Sequence, residues 1–142
     1  ANQIALGICL QKPNRSVFCL DGDGAAIMHL GSLAVNGNVE CDNFKHIIFN
    51  NGAHDSVGGQ PTVGYTIDFQ SIAKASGYDL IFQAETKKEI VSCIKELKVS
   101  KGKVFLEIKV KKGYRENLGR PTTTPKENKQ SLMQFIKENL DE

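Results

Sequence analysis

No stretch of this sequence approaches the run of about 18 apolar residues that would span a bilayer. The apolar opening, Ile4-Ala5-Leu6-Gly7-Ile8-Cys9-Leu10, lacks the basic flank and cleavage site of a secretory leader. Charge of one sign is also missing. The net charge is +2, which gives no ground for a nucleic-acid or membrane partner. The four cysteines, Cys9, Cys19, Cys41 and Cys93, form no CxxC pair and no zinc-type spacing. Cys9, Cys19 and Cys93 sit within apolar patterns and read as buried thiols of a reducing cytoplasm, which is the localisation expected. Internal repeats, low-complexity tracts and a second hydrophobic unit are absent as well. Residues 1–142 therefore read as one globular domain with a sizeable core. Ala1 is not an initiator methionine and the apolar pattern is already running at Ile4, so the chain is expected to be part of a longer polypeptide.

Two polar clusters stand where short apolar runs end. Ser16-Val17-Phe18-Cys19-Leu20 leads into Asp21-Gly22-Asp23-Gly24, and His46-Ile47-Ile48-Phe49 leads into Asn50-Asn51. Both runs read as buried strands. In an open parallel sheet, residues just past the strands' carboxyl ends share one edge, where ligands bind. Asp23 and Asn51 can thus meet around one ion, offering the hard oxygen donors that Mg2+ or Ca2+ prefers. A site carrying a single formal charge is normally completed by an anion such as a phosphate. Gly22 and Gly24 allow close backbone approach to it, and a helix starting near Ala25 aims N–H groups at it. The bland alternative is two unrelated strand-to-helix turns built from small polar residues.

Further along, the Gly-rich segment 52–66 is expected to be irregular, and so long a loop inside a compact domain is usually functional. Asp68 can cap a helix through Ser76 that stops at Gly77. Leu80-Ile81-Phe82 reads as a third strand. The capping box Thr86-Lys87-Lys88-Glu89 starts a helix carrying Ile90, Val91, Ile94 and Leu97, and Val104 to Val110 alternates as a fourth strand. Thr124-Pro125-Lys126-Glu127 is a second capping box, and Leu132, Met133, Phe135, Ile136 and Leu140 form the expected buried stripe of the last helix. With a helix over Ala1 to Gln11, the order is α-β-α-β-loop-α-β-α-β-loop-α. That alternation predicts a three-layer αβα domain with a mostly parallel sheet.

GDG after one strand and NN after the next resembles the diphosphate-anchoring motif of thiamine diphosphate enzymes. The segments Asn50-Asn51-Gly52-Ala53-His54-Asp55-Ser56-Val57-Gly58-Gly59-Gln60-Pro61-Thr62 and Tyr114-Arg115-Glu116-Asn117-Leu118-Gly119-Arg120-Pro121-Thr122-Thr123-Thr124-Pro125 resemble the phosphonopyruvate decarboxylase family. So do Gln3-Ile4-Ala5-Leu6-Gly7 and Gln11-Lys12-Pro13-Asn14-Arg15. The stretch Gly58 to Thr62 is also similar to sulfopyruvate decarboxylases. The resemblance spans the whole chain but only the diphosphate-binding half of the family's polypeptide. It implies thiamine diphosphate and Mg2+ as cofactors and decarboxylation of a small anionic 2-oxo acid, here 3-phosphonopyruvate to phosphonoacetaldehyde.

On that resemblance Asp23, the Asn51 side chain and the Ala53 carbonyl hold Mg2+, while Gly22, Gly24 and Ala25 approach the diphosphate. The activating glutamate would come from a pyrimidine-binding domain or subunit, in a homo-oligomer or a split-subunit assembly, and this chain alone would not turn over. His54 and Asp55 are candidates for proton delivery. Arg115, Arg120, Gln60 and Thr62 are candidates for substrate binding, the arginines because a carboxylate and a phosphonate call for planar bidentate donors. For His29, on the helix after Gly24, and His46, at the start of a strand, a structural role is favoured. Two other classes remain: a non-catalytic module that binds a phosphate-bearing ligand, and a flavodoxin-like redox domain. The second is disfavoured because no Ser/Thr-rich phosphate loop follows the first strand.

Overall fold

Alternate residues of the two central apolar runs face opposite sides of a sheet, and both sides are covered. The computed structural model describes residues 1–138. Helix α1 (Asn2–Gln11) is followed by β1 (Val17–Gly22), α2 (Asp23–Met28), α3 (Gly31–Asn38) and β2 (Phe44–Asn50). Then come β3 (Ala53–His54), a 3-10 turn (Asp55–Val57), β4 (Gln60–Pro61), α4 (Phe69–Ser76) and β5 (Leu80–Ala84). The chain continues through α5 (Lys87–Val99), β6 (Val104–Lys109) and α6 (Pro125–Glu138).

Strands β1, β2, β6 and β5 pair in parallel, in that spatial order. One core gathers Phe44, Ile48 and Phe105 from the sheet with Ala5, Cys9, Ala26, Leu33, Phe69 and Ala73 from α1 to α4. The other gathers Ile47, Val104, Leu106 and Ile108 with Leu97 of α5. This is the expected three-layer αβα domain.

Local signals set the helix ends. Asp68 accepts from the Ser71 amide at 2.9 Å, and Gly77 closes α4 in the left-handed conformation. Both capping boxes form: Thr86 with Glu89, and Thr124 with Glu127. The backbone bonds to Glu85 and Thr86 hold the Glu89 carboxyl below the usual range.

Several expectations are corrected. The helix near Ala25 begins at Asp23 and ends by His29, whose φ of −126° breaks it, so His29 caps α2 and α3 is a separate helix. His46 is the third residue of β2, because the strand starts at Phe44. Segment 52–66 is not wholly irregular: β3 and β4 pair as a small antiparallel hairpin around the 3-10 turn. Cys93 is half-buried, unlike Cys9 and Cys19, and Val91 is exposed. The stripe of α6 stays largely open, with Leu132, Met133 and Phe135 at 49%, 47% and 53% exposure. Leu132, Phe135 and Ile136 line a groove of about 530 Å3 at the outer edge of the sheet, shared with Ile4, Ile8, Phe18 and Leu20. The Arg15 guanidinium lies 4.3 Å from the centre of the Phe135 ring. Leu140 lies outside the described residues.

Helices α3 and α4 approach so closely that a side chain on Gly37 would run into the Ser76 carbonyl. Gly7 of α1, by contrast, has open space around it. Gly37→Ala should therefore destabilise the protein by about 1–3 kcal/mol through overpacking. Gly7→Ala should be neutral or stabilising by roughly 0.5–1 kcal/mol, because glycine loses more backbone entropy in a helix. Denaturant midpoints compare the two variants, and coincident midpoints would contradict this packing.

Candidate functional site

The carboxyl ends of β1, β2 and β6 lie side by side, as the in-register pairs Gly22↔Phe49 and Asn50↔Lys109 show. Asp23 opens α2 at this edge with only 1% of its surface exposed. The Thr62 hydroxyl donates a short hydrogen bond to Asp23 Oδ2, and the Asn51 amide approaches Asp23 Oδ1 at 3.4 Å. Gly64 lies against the same carboxylate: a Cβ there would come within 2.5 Å of Asp23 Oδ2 and 2.6 Å of Asn50 Oδ1. The position admits no larger residue without displacing one of them.

Asn50 ties this edge together. Its Nδ2 donates to the Gly64 carbonyl at 2.7 Å and to Glu107 Oε1 at 2.6 Å, and its Oδ1 accepts from the Gly52 amide at 3.1 Å. Gln70 Nε2 donates to the other oxygen of Glu107. Glu107 and Gln70 were not singled out from the sequence. Their only signal there is a carboxylate among the apolar residues Val104, Phe105, Leu106 and Ile108 of β6, which bury it to 2% exposure.

Asn51 is held by its neighbours. Its Nδ2 donates to Asp55 Oδ2 at 2.8 Å, and its Oδ1 accepts from the Ala53 amide at 3.0 Å. Asp55 also accepts from the Gly113 amide at 2.7 Å, so it links the hairpin to the segment leaving β6. Pro61 stands opposite Ala53 in the hairpin and has no N–H to offer the Ala53 carbonyl. The His54 imidazole covers Gly24 so closely that a Cβ on the glycine would overlap the ring. Gln60 is exposed and reaches back over Gly58. Arg115 and Arg120 are exposed on the segment that departs from this same edge, and neither is ion-paired with a described residue. Tyr65 Oη donates to the Val110 carbonyl at 2.8 Å and pins the start of that segment to the hairpin region.

The structure thus brings Gly22, Asp23, Gly24, Asn51, Ala53, His54, Asp55 and Thr62 to one place. It leaves Gln60, Arg115 and Arg120 at the periphery. The candidate donors at this edge, the Asp23 carboxylate, the Asn51 side-chain oxygen and the Ala53 carbonyl, are all hard oxygens of the kind that suits Mg2+ together with an anionic group. A shallow concavity of about 1030 Å3 lies at the opposite end of the sheet, against Asp42, Asn43, Asp79 and Lys103 at the strands' amino ends. It has none of these residues.

The model of the thiamine pyrophosphate enzyme C-terminal TPP-binding domain matches residues 1–108. The chain belongs to that family. It is 32% identical over 136 residues to a phosphonopyruvate decarboxylase of Streptomyces viridochromogenes, covering 96% of this chain and 34% of that protein. It is 33% identical over 138 residues to the phosphonopyruvate decarboxylase of Streptomyces hygroscopicus, covering 97% and 34% respectively. The sulfopyruvate decarboxylase subunit beta of Methanococcus maripaludis is 30% identical over 139 residues, covering 96% of this chain and 72% of that subunit. The chain spans about a third of the length of the two Streptomyces relatives. The four-stranded parallel sheet with flanking helices accords with a thiamine pyrophosphate-binding fold, and no helix among the described residues is long and apolar enough to cross a membrane.

Because the Asn50 amide satisfies three buried groups at once, Asn50→Ala should destabilise the protein by at least about 1–3 kcal/mol, with the abandoned Glu107 carboxylate adding to the cost. Equilibrium unfolding in denaturant measures this. A variant as stable as the wild type would show that the network carries no weight.

Proposed function

We propose that this chain is the diphosphate- and Mg2+-binding domain, over residues 1–142, of a thiamine diphosphate-dependent decarboxylase that converts 3-phosphonopyruvate to phosphonoacetaldehyde and CO2. The observation that carries the reading is the buried Asp23 carboxylate, beside Asn51 at the carboxyl edge of a parallel sheet. Thiamine diphosphate, when bound, supplies the electron sink for loss of CO2 from a 2-oxo acid. Asp23, Asn51 Oδ1 and the Ala53 carbonyl hold Mg2+, and Gly24 and Ala25 present backbone N–H groups to the diphosphate.

Asp55 accepts from Asn51 Nδ2, which turns the amide oxygen the other way; that oxygen accepts the Ala53 amide and has a second lone pair for a ligand. His54, over Gly24, is the candidate for moving a proton at the reacting centre. Gln60, on the hairpin, and Arg115 and Arg120, on the segment that leaves β6, are exposed and are the candidates for contacting the substrate. Thr62, a further substrate candidate, spends its hydroxyl proton on Asp23 and serves to hold that carboxylate. The partner is a pyrimidine-binding domain or subunit in an oligomeric or split-subunit assembly.

A second reading, action on sulfopyruvate as one subunit of a split enzyme, is favoured by the similarity to sulfopyruvate decarboxylase beta subunits. Phosphonopyruvate is preferred for the higher identity over nearly the whole chain.

Asp23→Ala should abolish binding of Mg2+ and thiamine diphosphate in the assembled protein while the fold survives, since the carboxylate lies at a strand end outside both cores. Isothermal titration with both components measures this, and wild-type affinity in the variant refutes the assignment. Arg120→Ala should weaken selection of phosphonopyruvate over pyruvate by about 1.5–3 kcal/mol, by removing a charge-assisted pair. Arg120→Lys should recover only part of the loss, because lysine lacks the planar fork. Ratios of kcat/KM for the two substrates decide it, and an unchanged ratio makes Arg120 an ordinary surface residue.

A further inference from the structure

Below the diphosphate edge, on the face of β1 that carries both Cys19 and Asp21, His46 of β2 stands in register with Cys19. One donor atom from each of the three residues lies within 4.8 Å of the other two, and no other such trio is found among the described residues. The period of two puts Cys19 and Asp21 on one side of the strand, and parallel pairing brings His46 against them. The spacing in the sequence gives no hint of this.

His46 is completely buried. Its Nδ1 lies 3.0 Å from Tyr78 Oη, while its Nε2 has no hydrogen-bond partner. Asp21 Oδ2 lies 3.5 Å from Nε2, too long for an ordinary N–H···O bond. That spacing instead matches the roughly 3.3–3.8 Å that separates donors around a tetrahedral ion with bonds of about 2.0–2.3 Å. With the proton on Nδ1 and given to Tyr78, the Nε2 lone pair faces Asp21 and Cys19. A hydrogen bond of this kind from the far ring nitrogen is what orients a metal-bound histidine.

We propose that Cys19, Asp21 and His46 form a site for a borderline-soft divalent cation of the zinc class, distinct from the Mg2+ site at Asp23. A thiolate, an imidazole and a carboxylate form a donor set that zinc accepts, whereas the sulfur and nitrogen donors suit Mg2+ poorly. Three protein donors leave one coordination position open. A cysteine binds a cation as its thiolate, and an ordinary thiol carries a proton at neutral pH. The entering cation displaces that proton to solvent as the sulfur–metal bond forms, with no change in oxidation state. Asp21 is two residues before Asp23, so an ion here would stiffen the strand end that presents the diphosphate loop.

Titration of the chelator-treated assembled protein with Co2+, followed by absorption spectroscopy, tests the site. The expected result is saturation at one Co2+ per chain, with a thiolate-to-cobalt charge-transfer band and displacement by Zn2+ but not by Mg2+. Cys19→Ser, nearly the same size and able to fold, should lose the band, while Cys93→Ser should keep it. Tyr78→Phe should lower the affinity about 10- to 100-fold by removing the partner of Nδ1. Absence of the band from the wild type, or its survival in Cys19→Ser, overturns the proposal. Thiamine diphosphate and Mg2+ binding, measured in parallel, should be retained in Cys19→Ser. Its absence from wild type and variant alike would count against the proposed function and leave the cobalt result to stand on its own.

Discussion

The side-chain amide of Asn50 is the constraint on which the upper edge of the molecule depends. It sits at the end of the central strand β2 and holds the backbone at both ends of segment 52–64, through the Gly52 amide and the Gly64 carbonyl. A loop so pinned loses little further entropy when its interior is ordered. Thr62 then reaches Asp23, and Asn51 is placed between Asp23 and Asp55. The same amide satisfies Glu107, whose second oxygen is taken by Gln70 of α4. A buried carboxylate is costly unless its lone pairs are used, and here they are used to fasten the loop and α4 to the sheet.

This network is the upper end of a polar seam through two central strands that are otherwise apolar. At the lower end Lys45, with no exposed surface, donates from Nζ to the Ser100 and Gly102 carbonyls at 2.8 and 2.9 Å. It closes the turn between α5 and β6. Burial pulls the Lys45 ammonium below its ordinary value. The folded state therefore binds that proton less tightly than the unfolded chain does. The resulting cost is full below the lowered value and fades as pH rises through it. Between the two ends, His46 packs among Phe44, Tyr78 and Phe105 with ring centroids 5.7, 6.2 and 5.7 Å away. The seam fixes strand register more firmly than apolar residues would, since a one-residue slip would strand each polar group on the wrong face.

Most of the architecture was legible because its signals are local. Capping at Asp68, Thr86 and Thr124 reads directly from residue type and spacing, and the alternation of short apolar runs with amphipathic helices dictates a parallel sheet. The meeting of Asp23 with Asn51 followed from the same rule, since parallel strands share one carboxyl edge. What escaped depends on depth and on pairing. A period of two tells which residues share a face but not that Lys45, His46 and Glu107 would be fully enclosed. The β3–β4 hairpin was hidden by the glycines of its turn, where Gly58 and Gly59 adopt φ of +112° and +74° and carry no side-chain pattern. The stripe of α6 has the right spacing for burial, but spacing cannot say how much of a facing surface the rest of the chain supplies.

Thr62 shows how the geometry redistributes roles within a motif. Read as part of a loop over a substrate, it was an available hydroxyl. In the structure its proton goes to Asp23 and its oxygen accepts the Gly64 amide at 3.1 Å. A hydroxyl has one proton to give, so Thr62 cannot also donate to a substrate while it holds Asp23. On the proposed function, recognition of a doubly anionic substrate then rests on groups with unspent donors over the edge. Gln60, Arg115 and Arg120 are exposed. The tether from Gly113 to Asp55 couples the arginine-bearing segment to the residue that orients Asn51. On the same reading, a shift of that segment toward a bound anion would be felt at the Asn51 side chain, two hydrogen bonds away through Asp55.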